Sequence, residues 1–165
     1  DNLGDWSSDV CSSDLFERLR EAGKIGRWGV SNFDVADLQE LASPACATNQ
    51  VLYNIQERGI EFDLLPWWQQ HHLPLMAYCP IAQGGELLSS PTLKQIAHRH
   101  QATAAQVALA WVLRQDGVIA IPKAVTPEHV RLNAAAAQLV LDEHDLDAIE
   151  RVFGAPKRKH PLAMV

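Results

Sequence analysis

The chain has 165 residues, 47% hydrophobic and 21% charged, with a formal net charge of -6, which is the make-up of an ordinary globular domain. It has no apolar run long enough to span a bilayer and no basic stripe to neutralise the phosphates of a duplex, so neither a membrane nor a nucleic-acid partner is expected. Three cysteines without metal-ligand spacing suit a reducing cytoplasm and argue against a metal centre.

The first fifteen residues stand apart. Asp1 to Leu15 carries four aspartates, no lysine or arginine, and no apolar periodicity. The run Asp5 to Asp14 matches the translation of a widely used sequencing-adapter oligonucleotide, whose last nucleotides open the Leu15 codon. Residues 1–15 are therefore expected to be an artefactual or disordered leader, and residues 16–165 the genuine domain, with 16 acidic and 14 basic residues.

From Phe16 onward strands and helices alternate. Phe16 to Ala22 reads as the last turns of a helix closed by Gly23. Ile25 to Val30 is a short strand, and Asp34 caps a helix with Asp37 three residues on and Val35, Leu38 and Leu41 on one face. Thr48 to Tyr53 is a second strand. A helix over Leu64 to His71, with Pro66 in its first turn, leads to Leu73–Tyr78, an unbroken apolar strand of the kind buried on both faces. Ile81 to Ser90 reads as a flexible loop around Gly84-Gly85. Pro91 opens a helix, and Thr103 and Gln106 form a capping box for the next, which carries Val107, Ala110, Trp111 and Val112 inward. Gly117 to Ile121 is the fourth strand. Thr126 and Pro127 start another helix, and Asp142 caps a last one with Leu146, Ile149 and Val152 inward.

Each strand ends in a short polar cluster: Gly29-Val-Ser-Asn-Phe33, Thr48-Asn-Gln50, Ala77-Tyr-Cys-Pro80 and Ile121-Pro-Lys123. Parallel α/β folds place ligands where such ends converge. Four βα units fit a doubly wound sheet or part of a (β/α)8 barrel, and a complete barrel takes about 200 residues or more, so a barrel reading implies a truncated chain.

The strand-end clusters, with Asn49-Gln50-Val-Leu-Tyr53 and Ile121-Pro-Lys-Ala-Val-Thr-Pro127 followed by Asn133, resemble the aldo-keto reductases, NADPH-dependent (β/α)8 TIM-barrel enzymes, in order and spacing. The resemblance covers Phe16 to about Leu162. It implies the C-terminal half of that barrel, strands five to eight with their helices. By position it implies that Ser31, Asn32 and Gln50 hold the nicotinamide carboxamide, for which uncharged donors and acceptors are suited. Tyr78 would stack flat on the ring. Cys79, Ile81 and Gln83 would sit in the loop clasping the pyrophosphate, and Lys123, Ala124, Thr126, His129 and Asn133 around the 2′-phosphate and adenosine, where a helix amino end adds to the lysine charge. The chain departs from the family at Cys79, where serine is commoner, at His129, where many members have arginine, and at Leu132, where they have glutamate.

The family's catalytic Asp, Tyr, Lys and His belong to the barrel's first half, so no catalytic residue is expected here. The resemblance implies a cytoplasmic, monomeric parent that reduces small aldehydes and ketones with NADPH, and a fragment that is poorly soluble and inactive. Two rivals are a non-enzymatic nucleotide-binding relative of the channel β-subunit type and an unrelated phosphate-binding barrel. His71 and His72 cannot face one metal from adjacent helix positions, and with His98 and His100 they are expected on the outer surface. Lys157-Arg-Lys159 reads as a solvated tail.

Overall fold

The computed structural model describes residues 8–165, with side chains from residue 13 on. The first helix, α1 (Ser8–Glu21), begins inside the stretch set apart as a leader, of which residues 1–7 lie outside the described residues. Gly23 follows with a φ of 67°, the left-handed turn that a C-terminal glycine permits without a Cβ clash. Then come β1 (Trp28–Ser31), α2 (Val35–Leu41), β2 (Cys46–Leu52), a 3-10 turn (Gly59–Glu61), α3 (Leu64–Gln70), β3 (Leu75–Tyr78), α4 (Gly85–Ser89), α5 (Pro91–Arg99) and α6 (Ala104–Leu113). The chain continues through β4 (Val118–Ala120), α7 (Pro127–Ala135), a second 3-10 turn (Ala136–Gln138) and α8 (Glu143–Val152).

The four strands form one sheet in the order β1-β2-β3-β4, every neighbouring pair parallel. Parallel neighbours need a crossover, and the intervening helices provide it. Side-chain alternation then sorts the strands into two faces. Register aligns Val30, Asn49, Leu75 and Val118 across one face, and Ser31, Gln50, Met76 and Ile119 across the other. The first face meets the helices: Trp28, Val51, Leu75, Ala77 and Val118 share a core with Leu38, Leu64, Trp68, Val107 and Trp111. The second is open, and Ile119 is 45% exposed on it.

That one-sided covering corrects the expectation for the third strand. Leu75 and Ala77 are buried, whereas Met76 and Tyr78 are only half-buried, because no layer lies over the open face among the described residues. The loop expected over Ile81 to Ser90 contains α4, nucleated by Leu87, which is 1% exposed in the core, and by Ser89 Oγ donating to the Gly85 carbonyl. In α8 Ile149 is buried, but Val152 is exposed; Phe153, one residue on, packs against the core instead.

The local helix signals act as their chemistry requires. Asp34 with Asp37, Thr103 with Gln106 and Asp142 with Asp145 form reciprocal capping boxes. Longer-range ties close the structure. Asp145, fully buried, accepts from Arg99 and, at 2.6 Å, from His100 Nε2, joining α5 to α8. His100 is thus half-buried and engaged rather than on the outer surface, while His98 is exposed. Arg58 is 7% exposed, pairs with Glu61 at 2.7 Å and Glu150 at 2.6 Å, and donates to the Phe153 carbonyl.

Candidate functional site

All four strands point the same way, so their carboxyl ends share one edge of the sheet. Ser31 and Asn32 close β1, Gln50 lies near the end of β2, Tyr78 ends β3 with Cys79, Ile81 and Gln83 beyond it, and Lys123, Ala124 and Thr126 follow β4. His129 and Asn133 lie in α7.

The first three residues are joined directly. Ser31 Oγ and the Asn32 N–H both donate to the Gln50 carbonyl at 2.9 Å. Asn32 adopts a φ of 59°, a left-handed conformation that asparagine tolerates better than most residues. Its Oδ1 is buried and has no hydrogen-bond partner among the described residues. A buried acceptor left unpaired is costly, so this atom marks a place where a donor belongs.

The turn that carries Asn32 is held from behind by a residue the sequence reading quoted but gave no role. Asn49, fully buried, donates Nδ2 to the Phe33 carbonyl at 2.7 Å and accepts from the Phe33 N–H at 3.4 Å. Its signal was its place beside Gln50: neighbours in a strand face opposite ways, so one that faces the site implies one that faces the core. Gly29 lets β1 approach closely. A Cβ there would meet the Thr48 carbonyl oxygen at 2.6 Å and Thr48 Cγ2 at 2.7 Å.

Past β3 the backbone is unusual. Cys79, Ala82, Gln83, Gly84 and Gly85 all have φ between 48° and 88°, a run of left-handed residues that costs energy at each non-glycine position. Asn54 Nδ2 donates to the Cys79 carbonyl at 3.0 Å and fixes the start of this loop against the β2 end. Gln83 Nε2 lies 3.9 Å from Cys79 Sγ.

The β4 end is more open. Thr126 Oγ1 caps α7 by accepting from the His129 N–H at 3.2 Å, which leaves the helix amino end facing solvent. Lys123, Thr126 and His129 are exposed, and Lys123 makes no ion pair among the described residues. Ala124 and Asn133, with Pro122 and Val130, line a shallow groove of about 300 Å³.

Of the two tyrosines, Tyr53 is fully buried and donates its hydroxyl to Glu61 Oε1 at 2.6 Å. Burial and the adjacent Glu61 charge push its phenol far above the ordinary range, so it is a fixed donor and not a proton source at neutral pH. Burial likewise raises the Cys46 thiol, whereas Cys79 is half-buried. No group of His, Cys, Asp and Glu among the described residues could hold a metal ion.

The sequence model of the Aldo/keto reductase family matches residues 9–153. The chain is 51% identical over 171 aligned positions to methylglyoxal reductase YeaE of Escherichia coli (strain K12), covering 97% of this chain and 60% of that protein. It is 36% identical to glyoxal reductase of Bacillus subtilis (strain 168), covering 81% of this chain and 48% of the relative. Among solved structures it resembles an aldo-keto reductase from Klebsiella pneumoniae in complex with NADPH, with a TM-score of 0.89 at 48% identity over 93% of this chain and 57% of that one. The chain thus spans about half to three-fifths of the length of these relatives.

Proposed function

The chain belongs to the aldo/keto reductase family, and on that premise we propose that it is the nucleotide-binding portion, strands five to eight, of a (β/α)8-barrel reductase that converts small aldehydes and dicarbonyls to alcohols with NADPH. Support for the barrel comes from strand order: a doubly wound sheet reverses direction at a switch point, and here the order runs β1-β2-β3-β4 without reversal. The open sheet face fits a barrel interior that the remaining length of the relatives would close.

The observation that carries the cofactor assignment is the unpaired, buried Asn32 Oδ1 beside Ser31 and Gln50. A carboxamide N–H2 is the donor this acceptor lacks, and Gln50, with no side-chain partner among the described residues, has both a donor and an acceptor to offer the same amide. Tyr78 would hold the ring by stacking and so fix its orientation. Cys79, Ile81 and Gln83, on the left-handed loop, would enclose the pyrophosphate. Lys123 and the capped amino end of α7 would take the 2′-phosphate, with Ala124, Thr126, His129 and Asn133 about the adenosine.

When bound, NADPH supplies the hydride. This chain's residues would orient it; with Tyr53 sealed against Glu61 and Tyr78 assigned to the ring, we assign the proton for the carbonyl oxygen to a group in the part of the barrel that this chain does not span. The substrate class is suggested by the methylglyoxal and glyoxal reductases among the relatives. Free Cys46 and Cys79 favour a reducing, cytoplasmic setting, and no described helix is long and apolar enough to cross a membrane. We take the complete protein to be a monomer.

The test is a fluorescence titration of NADPH into the chain, with inorganic phosphate as competitor. We expect saturable binding that Asn32→Ala and Tyr78→Ala each weaken about tenfold, the loss of roughly one good contact. Displacement by phosphate at equal concentration, with both variants unaffected, would replace the nicotinamide reading by a bare phosphate site. For turnover, the chain alone should leave NADPH unconsumed with methylglyoxal, and the chain extended to the relatives' length should consume it.

A further inference from the structure

The two central strands of the sheet stop pairing where the candidate site begins. Leu52 and Tyr78 are the last register partners of β2 and β3, and one further rung follows, from the Tyr53 N–H to the Tyr78 carbonyl at 3.4 Å. At the next position a side chain takes over from the main chain: Asn54 Nδ2 donates to the Cys79 carbonyl at 3.0 Å. Asn54 is 1% exposed. Its own turn needs only the other end of the amide, because Oδ1 accepts from the Gln56 N–H at 2.9 Å and from the Glu57 N–H at 3.0 Å. The Nδ2 group is not required by that turn, and it reaches a residue 25 positions further along the chain.

The carbonyl that receives it does not lack a donor. The Ala82 N–H already reaches it at 2.9 Å and closes a turn, so the second bond fixes the place of Cys79 rather than satisfying an orphaned atom. Cys79 needs such fixing. Its φ is 48°, a conformation that a residue with a Cβ holds only when its surroundings impose it. From there the chain runs through Ala82 and Gln83, also left-handed, to Gly85, where α4 is anchored by the buried Leu87. Pro80 is buried, and Ile81 and Ala82 pack against the core, while Gln83 is exposed. Apolar packing keeps the loop against the body of the protein but is non-directional. The bond from Asn54 is directional, and it acts on the residue where the left-handed run starts.

We propose that Asn54 is a positioning residue for the nucleotide: its side chain sets the backbone of the loop over residues 79–85 in advance, so that an incoming pyrophosphate meets a loop already ordered. The identity of the ligand rests on the NADPH reading given above; the tie between the two loops does not. Ordering a loop before binding spares the ligand that entropic cost, and the gain falls on the part of the ligand that touches the loop. The hydrogen bonds of the Asn54 side chain go to Gln56, Glu57 and Cys79, and not to Ser31, Asn32 or Gln50. Its effect therefore belongs to the pyrophosphate and not to the nicotinamide carboxamide.

The tie is tested on this chain by hydrogen exchange without nucleotide, and the role by titration with NADPH and with 2′-phospho-ADP-ribose, which has the pyrophosphate and the 2′-phosphate but no nicotinamide. Asn54→Ser keeps an acceptor for the turn on a side chain too short to reach Cys79, whereas Asn54→Ala removes both ends of the amide. Each should speed exchange in the peptide covering residues 79–87 about fivefold, the scale of one hydrogen bond, with α6 as protected as in the wild type. Each should weaken both nucleotides by the same factor, about fivefold, while Asn32→Ala weakens NADPH and leaves 2′-phospho-ADP-ribose unchanged. Faster exchange in Asn54→Ala alone would assign the effect to the turn and overturn the tie. An equal loss of protection in α6 would make Asn54 a general stabiliser and overturn it as well. Unaltered affinity for 2′-phospho-ADP-ribose in both Asn54 variants would overturn the positioning role. If the wild type binds neither nucleotide, the NADPH reading fails and the role in binding falls with it, while exchange still decides the tie.

Discussion

Asn49 offers a sharp test of how the site is built. Its side chain is wholly buried and makes two bonds to the Phe33 backbone, of which the 2.7 Å bond to the carbonyl is the stronger. Asn49→Ala removes both and leaves that carbonyl without its donor. An unpaired buried acceptor costs about 1–3 kcal/mol, and the vacated volume adds to it, so a loss of about 2–3 kcal/mol is expected. Asn49→Asp keeps the volume but sets an oxygen against the Phe33 carbonyl, and should cost at least as much. Urea unfolding followed by tryptophan fluorescence should show a lower midpoint at unchanged slope. The Asn32 turn is also freed, and re-ordering it should weaken NADPH about tenfold, or about 1.4 kcal/mol. An unchanged midpoint would refute the clamp; a lower midpoint with unaltered NADPH affinity would refute its connection to the site.

Two further outcomes are expected. Burial opposes ionisation of Glu150, but the Ala155 N–H and Arg58 outweigh it and hold its carboxyl below the ordinary range; Asp142 is lowered by the Asp145 N–H. A depressed carboxylate contributes stability that is whole above its unfolded pKa and is lost as pH falls through the folded one. The melting temperature should therefore hold from pH 7 to about 5 and fall below about pH 4, and a rise on acidification would contradict these pairings. In a Cys11→Ser background a thiol reagent should label Cys79 and spare Cys46, with NADPH slowing the Cys79 reaction; equal labelling of both would contradict their difference in burial.

What the sequence disclosed depended on range. The caps at Asp34, Thr103 and Asp142 and the proline opening α7 were legible because cap and helix start are adjacent in sequence, whereas the reciprocal bond from Asp145 back to Asp142 was first seen in the structure. The strand ends were legible as clusters, since period-two alternation brings polar residues out where apolar ones stop. Ties that depend on distant partners were not. His100 finds Asp145 across 45 residues, and Arg58 finds Glu150 across 92, and nothing near either residue announces its partner. The same holds for Lys159, which reads as one more tail charge until Asp34 and Asp63 are seen beside it. The turn α4 escaped because Gly84-Gly85 signals flexibility, while the buried Leu87 that orders it depends on tertiary packing.

The Arg58 junction bears on the order in which the chain assembles. Strands that pair with their sequence neighbours can add one after another as the polypeptide emerges, each new unit docking on an existing edge. Arg58, however, emerges before Glu150 and Phe153, and its guanidinium lies over the Trp111 ring at 5.1 Å while it pairs with Glu61 nearby. Glu61 and Trp111 are thus placed to hold the cation without α8. The last helix is then expected to close onto a prepared partner, its docking a late step whose cost is set by loop closure over a long stretch of chain.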